Sequence, residues 1–85
     1  MEYRRFDNTV ILRLEAGEEV MEQLTQLAQR EQIALGVVSG LGAAGRVTAG
    51  AFDTKRRAYT SHEFQGEYEI ISLTGTITAQ EGKPY

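Results

Sequence analysis

Four groupings in the sequence have the residue types that binding or catalysis requires. The first, Gly40-Leu-Gly-Ala-Ala-Gly45, carries the letters of the dinucleotide fingerprint G-x-G-x-x-G. That fingerprint works only where a strand delivers the glycines to the start of a helix whose N-terminus holds the pyrophosphate. Residues 46–53, RVTAGAFD, read as strand instead. Ser39, Gly40, Gly42 and Gly45 are therefore expected in a structural loop or a sharply bent strand end, where glycine supplies dihedrals or close approaches that other residues avoid. The second grouping is Ser61-His62. Neighbours in a strand point to opposite faces, so they cannot act together as nucleophile and base. A lone imidazole also falls short of the three or four ligands zinc takes. No metal and no other cofactor is expected.

The third grouping is Lys55-Arg56-Arg57, a basic run between two strand candidates. It reads as a solvated hairpin tip, with local phosphate contact as the alternative. The fourth is Glu67 and Glu69 within GEYEIISLTGTI, residues 66–77. In an extended strand Glu67, Glu69, Ile71 and Leu73 share one side, which places Glu69 among aliphatics. A carboxylate there needs a cation or several donors, because desolvating it alone costs several kcal/mol. Arg46 and Arg13, on neighbouring strand candidates, are the expected ion-pair partners, within the chain or across a subunit boundary.

The elements that must position these groups follow from periodicity. YRRF (3–6) and VILRL (10–14) flank the Asp7-Asn8 turn signal, with Val10, Leu12 and Leu14 on one face. Val20, Leu24, Leu27 and Ala28 then recur at helical spacing, predicting a helix from about 18 to 32 with Gly17 as its cap. IALGVVSG (33–40) reads as a central strand, RVTAGAFD and AYTSHEF (58–64) as a hairpin, and 66–79 as a long strand bending at Gly75. The closing EGKPY (81–85) is a turn signal with no second element after it. The order β-β-α-β-β-β-β predicts an α+β fold with one helix packed on a mostly antiparallel, barrel-like sheet.

Composition narrows the classes of function. Eighty-five residues allow one domain and a small core. A 41% hydrophobic, 25% charged chain is expected to fold. Its net charge of −3 speaks against binding a phosphate backbone with the chain as a whole. There is no cysteine, hence no disulfide and no thiolate metal site. MEYRRFDN lacks the apolar core of a signal peptide, and no apolar run reaches the ~20 residues that cross a bilayer. A cytoplasmic location without membrane association is expected.

Two stretches resemble one known family. Gly66-Glu67-Tyr68-Glu69-Ile70-Ile71-Ser72-Leu73-Thr74-Gly75 is similar to the Gly-Arg-Phe-Glu-Ile-Leu-Ser-Leu-Ser-Gly segment of the PPC domain, conserved in plants and prokaryotes. Val38-Ser39-Gly40-Leu41-Gly42-Ala43 stands in the matching place after the helix. The resemblance implies an α/β domain that assembles as a homotrimer, is non-catalytic, and is linked to DNA in plants through an AT-hook. It implies an interaction role for Gly66, Tyr68, Glu69, Ile70, Ile71, Ser72, Leu73 and Gly75, with Glu67 replacing an arginine. No Arg-Gly-Arg-Pro hook occurs here, which speaks against direct DNA binding. The family's His-x-His and Gly-Gly-His segments have no counterpart before Tyr85, so the chain resembles a family member that stops ahead of its C-terminal strands. The expectation is a self-associating PPC domain of regulatory or unknown role and no enzyme. The alternative is a small-ligand-binding or enzymatic domain using Gly40–Gly45 with Glu69 and Arg46.

Overall fold

The computed structural model describes residues 1–85 and orders them as β1 (Glu2–Phe6), β2 (Thr9–Arg13), α1 (Val20–Arg30), β3 (Gly36–Asp53), β4 (Ala58–Ile77), β5 (Ala79–Gln80) and β6 (Lys83–Pro84). Strand makes up 61% of the residues, and the single helix makes the fold α+β in character. The strands form three separate two-stranded antiparallel sheets, β1-β2, β3-β4 and β5-β6. The expected barrel-like sheet is therefore corrected. A barrel needs successive strands to pair on both edges until the sheet closes, whereas each strand here pairs with one partner only. The chain falls into two compact units, Met1–Val37 with Thr76–Tyr85, and Val38–Gly75. No helix is long and apolar enough to cross a membrane.

In the first unit, β1 and β2 pair from Glu2 with Arg13 to Phe6 with Thr9, turning at Asp7, whose φ is +59°. Val10, Leu12 and Leu14 alternate as half-buried residues, as their spacing predicts. Helix α1 is shorter than expected at both ends. Its N-cap is Glu19 rather than Gly17, and the Glu19 Oε2 accepts the Glu22 amide at 2.6 Å. Gly17, with φ +92°, belongs to the preceding turn. At the other end Gln32 takes φ +54°, the Ile33 amide donates to the Ala28 carbonyl at 2.9 Å, and the Gln32 amide donates to that of Gln29 at 3.4 Å. This is a Schellman closure with glutamine in the left-handed position that glycine usually takes. Leu27 and Ala28 are the two buried residues of the chain, at 4% and 2% exposure.

The N-terminal hairpin is tied to the end of α1. The Tyr3 hydroxyl donates to Glu31 Oε2 at 2.9 Å, and Arg5 Nη1 donates to the Glu31 carbonyl oxygen at 3.0 Å and to its Oε1 at 3.3 Å. These bonds hold the Glu31 carboxyl below its ordinary value, first through Tyr3 and then through Arg5, and raise the Tyr3 hydroxyl. The amino terminus donates to Glu18 Oε2 at 2.7 Å, lowering that carboxyl as well. Residues 81–85 depart from expectation. Glu81 and Gly82, at φ +54° and +78°, form a two-residue turn of the kind hairpins prefer, and β6 pairs back on β5, with Ala79 opposite Pro84 and Gln80 opposite Lys83. Thr78 and Tyr85 exchange backbone hydrogen bonds at 3.1 and 2.8 Å. The turn thus has its second element, a strand too short to show in a pattern. Helix α1 packs against β6.

Candidate interaction surface

The chemistry-bearing residues other than Arg13 converge on the second unit, a ribbon of the long strands β3 and β4. At its tip Asp53 organises the turn. Its Oδ1 accepts the amides of Lys55 at 2.9 Å and Arg56 at 3.2 Å, and its Oδ2 accepts Arg56 Nε at 2.9 Å. The Arg56 side chain, then the two amides, hold the Asp53 carboxyl below its ordinary value. Arg57 takes φ +52°. Asp53 stands outside the candidate site residues, although an aspartate closing a strand candidate is a recognisable turn signal.

Ser39, Gly40, Gly42 and Gly45 lie inside β3 rather than in a loop or at a strand's end, which corrects the reading of 39–45. Of these glycines only Gly42 uses a positive φ, +154°. The strand absorbs that local departure and continues, so three glycines in seven residues do not end it. In β4 the glycine with a positive φ is Gly66, at +155°, and not Gly75. Tyrosines lie over two glycines: Tyr68 covers Gly66, where an added Cβ would meet its ring at 3.5 Å, and Tyr59 covers Gly50 so closely that a Cβ would collide with it. Large rings thus occupy the space left by absent side chains.

The motif residues Gly66, Tyr68, Glu69, Ile70, Ile71, Ser72, Leu73 and Gly75 all fall on β4. Ile70 and Leu73 are half-buried, and Ile71 is 88% exposed. No residue between Val38 and Gly75 is buried, and Leu41, Phe52, Tyr59 and Phe64 are exposed along with Ile71. Glu69 is also exposed and makes no ion pair in the chain. Its expected intrachain partners are engaged elsewhere: Arg46 Nε lies 3.8 Å from Glu63 Oε1, and Arg13 Nε 4.0 Å from Glu15 Oε1. The premise of burial does not hold, because no residue of the ribbon is buried and solvent hydrates the carboxylate. The alternative site of Gly40–Gly45 with Glu69 and Arg46 is likewise not assembled: the glycines are in strand and Arg46 is turned to Glu63.

His62 is exposed in β4, and no three His, Cys, Asp or Glu side chains group to hold a metal ion.

Comparison with solved structures finds close folds. A protein of Bacteroides thetaiotaomicron, provisionally named as DNA-binding, matches with a TM-score of 0.95 and 28% identity over 99% of this chain and 59% of its own. One of Ralstonia eutropha with the same provisional name gives 0.89 and 29% over 98% and 57%. A metal-containing protein of Archaeoglobus fulgidus gives 0.81 and 27% over 87% and 53%. The chain thus spans less than three-fifths of the length of each. Comparison with curated proteins finds no match. The family model of the Plants and Prokaryotes Conserved (PCC) domain matches residues 1–85. With the fold shared across these structures and the glycine-flanked motif in place on β4, the chain belongs to the PCC domain family.

Proposed function

We propose that the protein is a self-associating interaction domain, forming a homotrimer and acting by contact rather than catalysis. One observation carries this reading: the Val38–Gly75 ribbon buries none of its residues while exposing a series of large apolar side chains. A lone two-stranded ribbon is marginal in water, and a chain that leaves this much apolar surface open gains by covering it with another. A second copy offers the same apolar ribbon in return. The family resemblance supports three copies and an interaction role for the β4 motif. The provisional naming of two relatives supports a DNA-associated, regulatory setting. The net charge of −3 favours reaching DNA through a partner over direct contact.

Light scattering coupled to size exclusion tests this. The expected mass is three times the 9.4 kDa of one chain, reduced by Ile71→Lys at equal concentration. A 9.4 kDa species at micromolar concentration, unchanged on dilution, would refute self-association.

A further inference from the structure

Charge on the ribbon is divided in a way that the fold of one chain leaves unresolved. Residues 38–75 contain four cations, Arg46, Lys55, Arg56 and Arg57, and four carboxylates, Asp53, Glu63, Glu67 and Glu69. Two pairs form internally, Arg56 with Asp53 at 2.9 Å and Arg46 with Glu63 at 3.8 Å. The remainder is two cations at the tip, Lys55 and Arg57, and two carboxylates on β4, Glu67 and Glu69, none of them in an ion pair. Ten strand residues from Arg57 to Glu67 span roughly 30 Å at about 3.3 Å each. Salt screens such a separation, the Debye length being about 8 Å at physiological ionic strength. The two sets therefore cannot neutralise each other within a chain.

We infer that they do so between chains: Lys55 and Arg57 at the tip of one copy seat on Glu67 and Glu69 of a second copy. This rests on the self-association proposed above and names the contact that directs it. The match is two against two, and each copy offers both halves. A head-to-tail contact of this kind, repeated around a ring, leaves every charge answered. Asp53 fixes the turn that presents the cations. Glu67 and Glu69 share one side of β4 with the 88% exposed Ile71, so an apolar contact supplies affinity beside a charged one that sets register. A polyanion would also suit the tip. The ribbon's formal neutrality and the carboxylates left over on the same ribbon favour a copy of the chain instead.

Charge reversal in the 85-residue chain decides the matter. Lys55→Glu with Arg57→Glu, and separately Glu67→Lys with Glu69→Lys, place like charges together and are expected to raise the concentration midpoint of assembly by at least about tenfold. The fourfold variant carrying both reversals restores opposite charges in any ring, and its midpoint is expected within about threefold of the parent. Circular dichroism on each variant separates loss of assembly from loss of fold. If the parent assembles and both double reversals leave its midpoint unmoved, this inference fails and self-association stands. If the tip reversal spares assembly but abolishes retention of a short DNA duplex, the tip serves a polyanion and the inference is overturned. A parent that remains monomeric removes both.

Discussion

The Arg5 guanidinium reaches the C-cap of α1, where it donates to both the carbonyl oxygen and the carboxylate of Glu31, at 3.0 and 3.3 Å. One side chain of β1 thereby satisfies an otherwise unpaired helix-end carbonyl and neutralises the residue that carries it. With the Tyr3 hydroxyl on the other carboxylate oxygen, this is the polar fastening between the N-terminal hairpin and the helix. Glu31→Gln keeps the shape and removes the charge, and is expected to lower the thermal midpoint at neutral pH more than Glu22→Gln, an exposed carboxylate in the first turn of the same helix.

The same contact sets a pH dependence. A glutamate held below its ordinary 4.5 stabilises the fold above that value and loses the contribution as pH falls through its lower folded value. Both Glu31 and Glu18 act in this direction. Tyr3, raised above 10.0, contributes below pH 10.0 and loses its contribution as pH rises through the higher folded value. Thermal midpoints measured downward from pH 7 are expected to fall below about 4.5, with a shallower decline in Glu31→Gln and Glu18→Gln. An unaltered slope in both variants would remove these carboxylates as the cause.

Leu27 is 4% exposed and Met21 on the same helix 68%. Leu27→Ala is expected to cost about 2–5 kcal/mol, and Met21→Ala to stay within about 0.5 kcal/mol. Urea denaturation of the two variants checks the contrast.

Gly66 and Gly75 bracket the β4 motif but differ in what they require. Gly66 sits at φ +155° beneath the Tyr68 ring, whereas Gly75 has open space where a Cβ would be added and no positive φ. Gly66→Ala is expected to destabilise by about 1–3 kcal/mol through backbone strain. Gly75→Ala is expected to be neutral or to stabilise by up to about 1 kcal/mol, since it restricts the unfolded chain. Equal denaturation midpoints would show that the positive φ at Gly66 is dispensable.

Glu67 and Glu69 are both exposed and without an ion pair in the chain. Their alanine variants are therefore expected to unfold within about 0.5 kcal/mol of each other, with any difference from the parent appearing in assembly. Denaturation at a concentration below the assembly midpoint, compared with one well above it, separates the two effects.

Local rules settle much of this protein without any long-range contact. Period 3.6 through Val20, Leu24, Leu27 and Ala28 marked both the helix and the pair that is buried, and Asp7-Asn8 marked the first hairpin. The wording of Gly66–Gly75 and Val38–Ala43 pointed to the family that the whole-length match shows. These features depend on neighbours within a turn or two, which the order of residues specifies directly.

Tertiary structure decided the rest. Whether Ser39–Gly45 is a loop depends on whether β4 supplies partners across the gap, and it does, so a glycine-rich stretch remains strand. Glu69 is exposed because the sheet has two strands and not a closed wall. Burial is a property of what covers a strand, and a pattern of residue types cannot say how many strands will come to cover it.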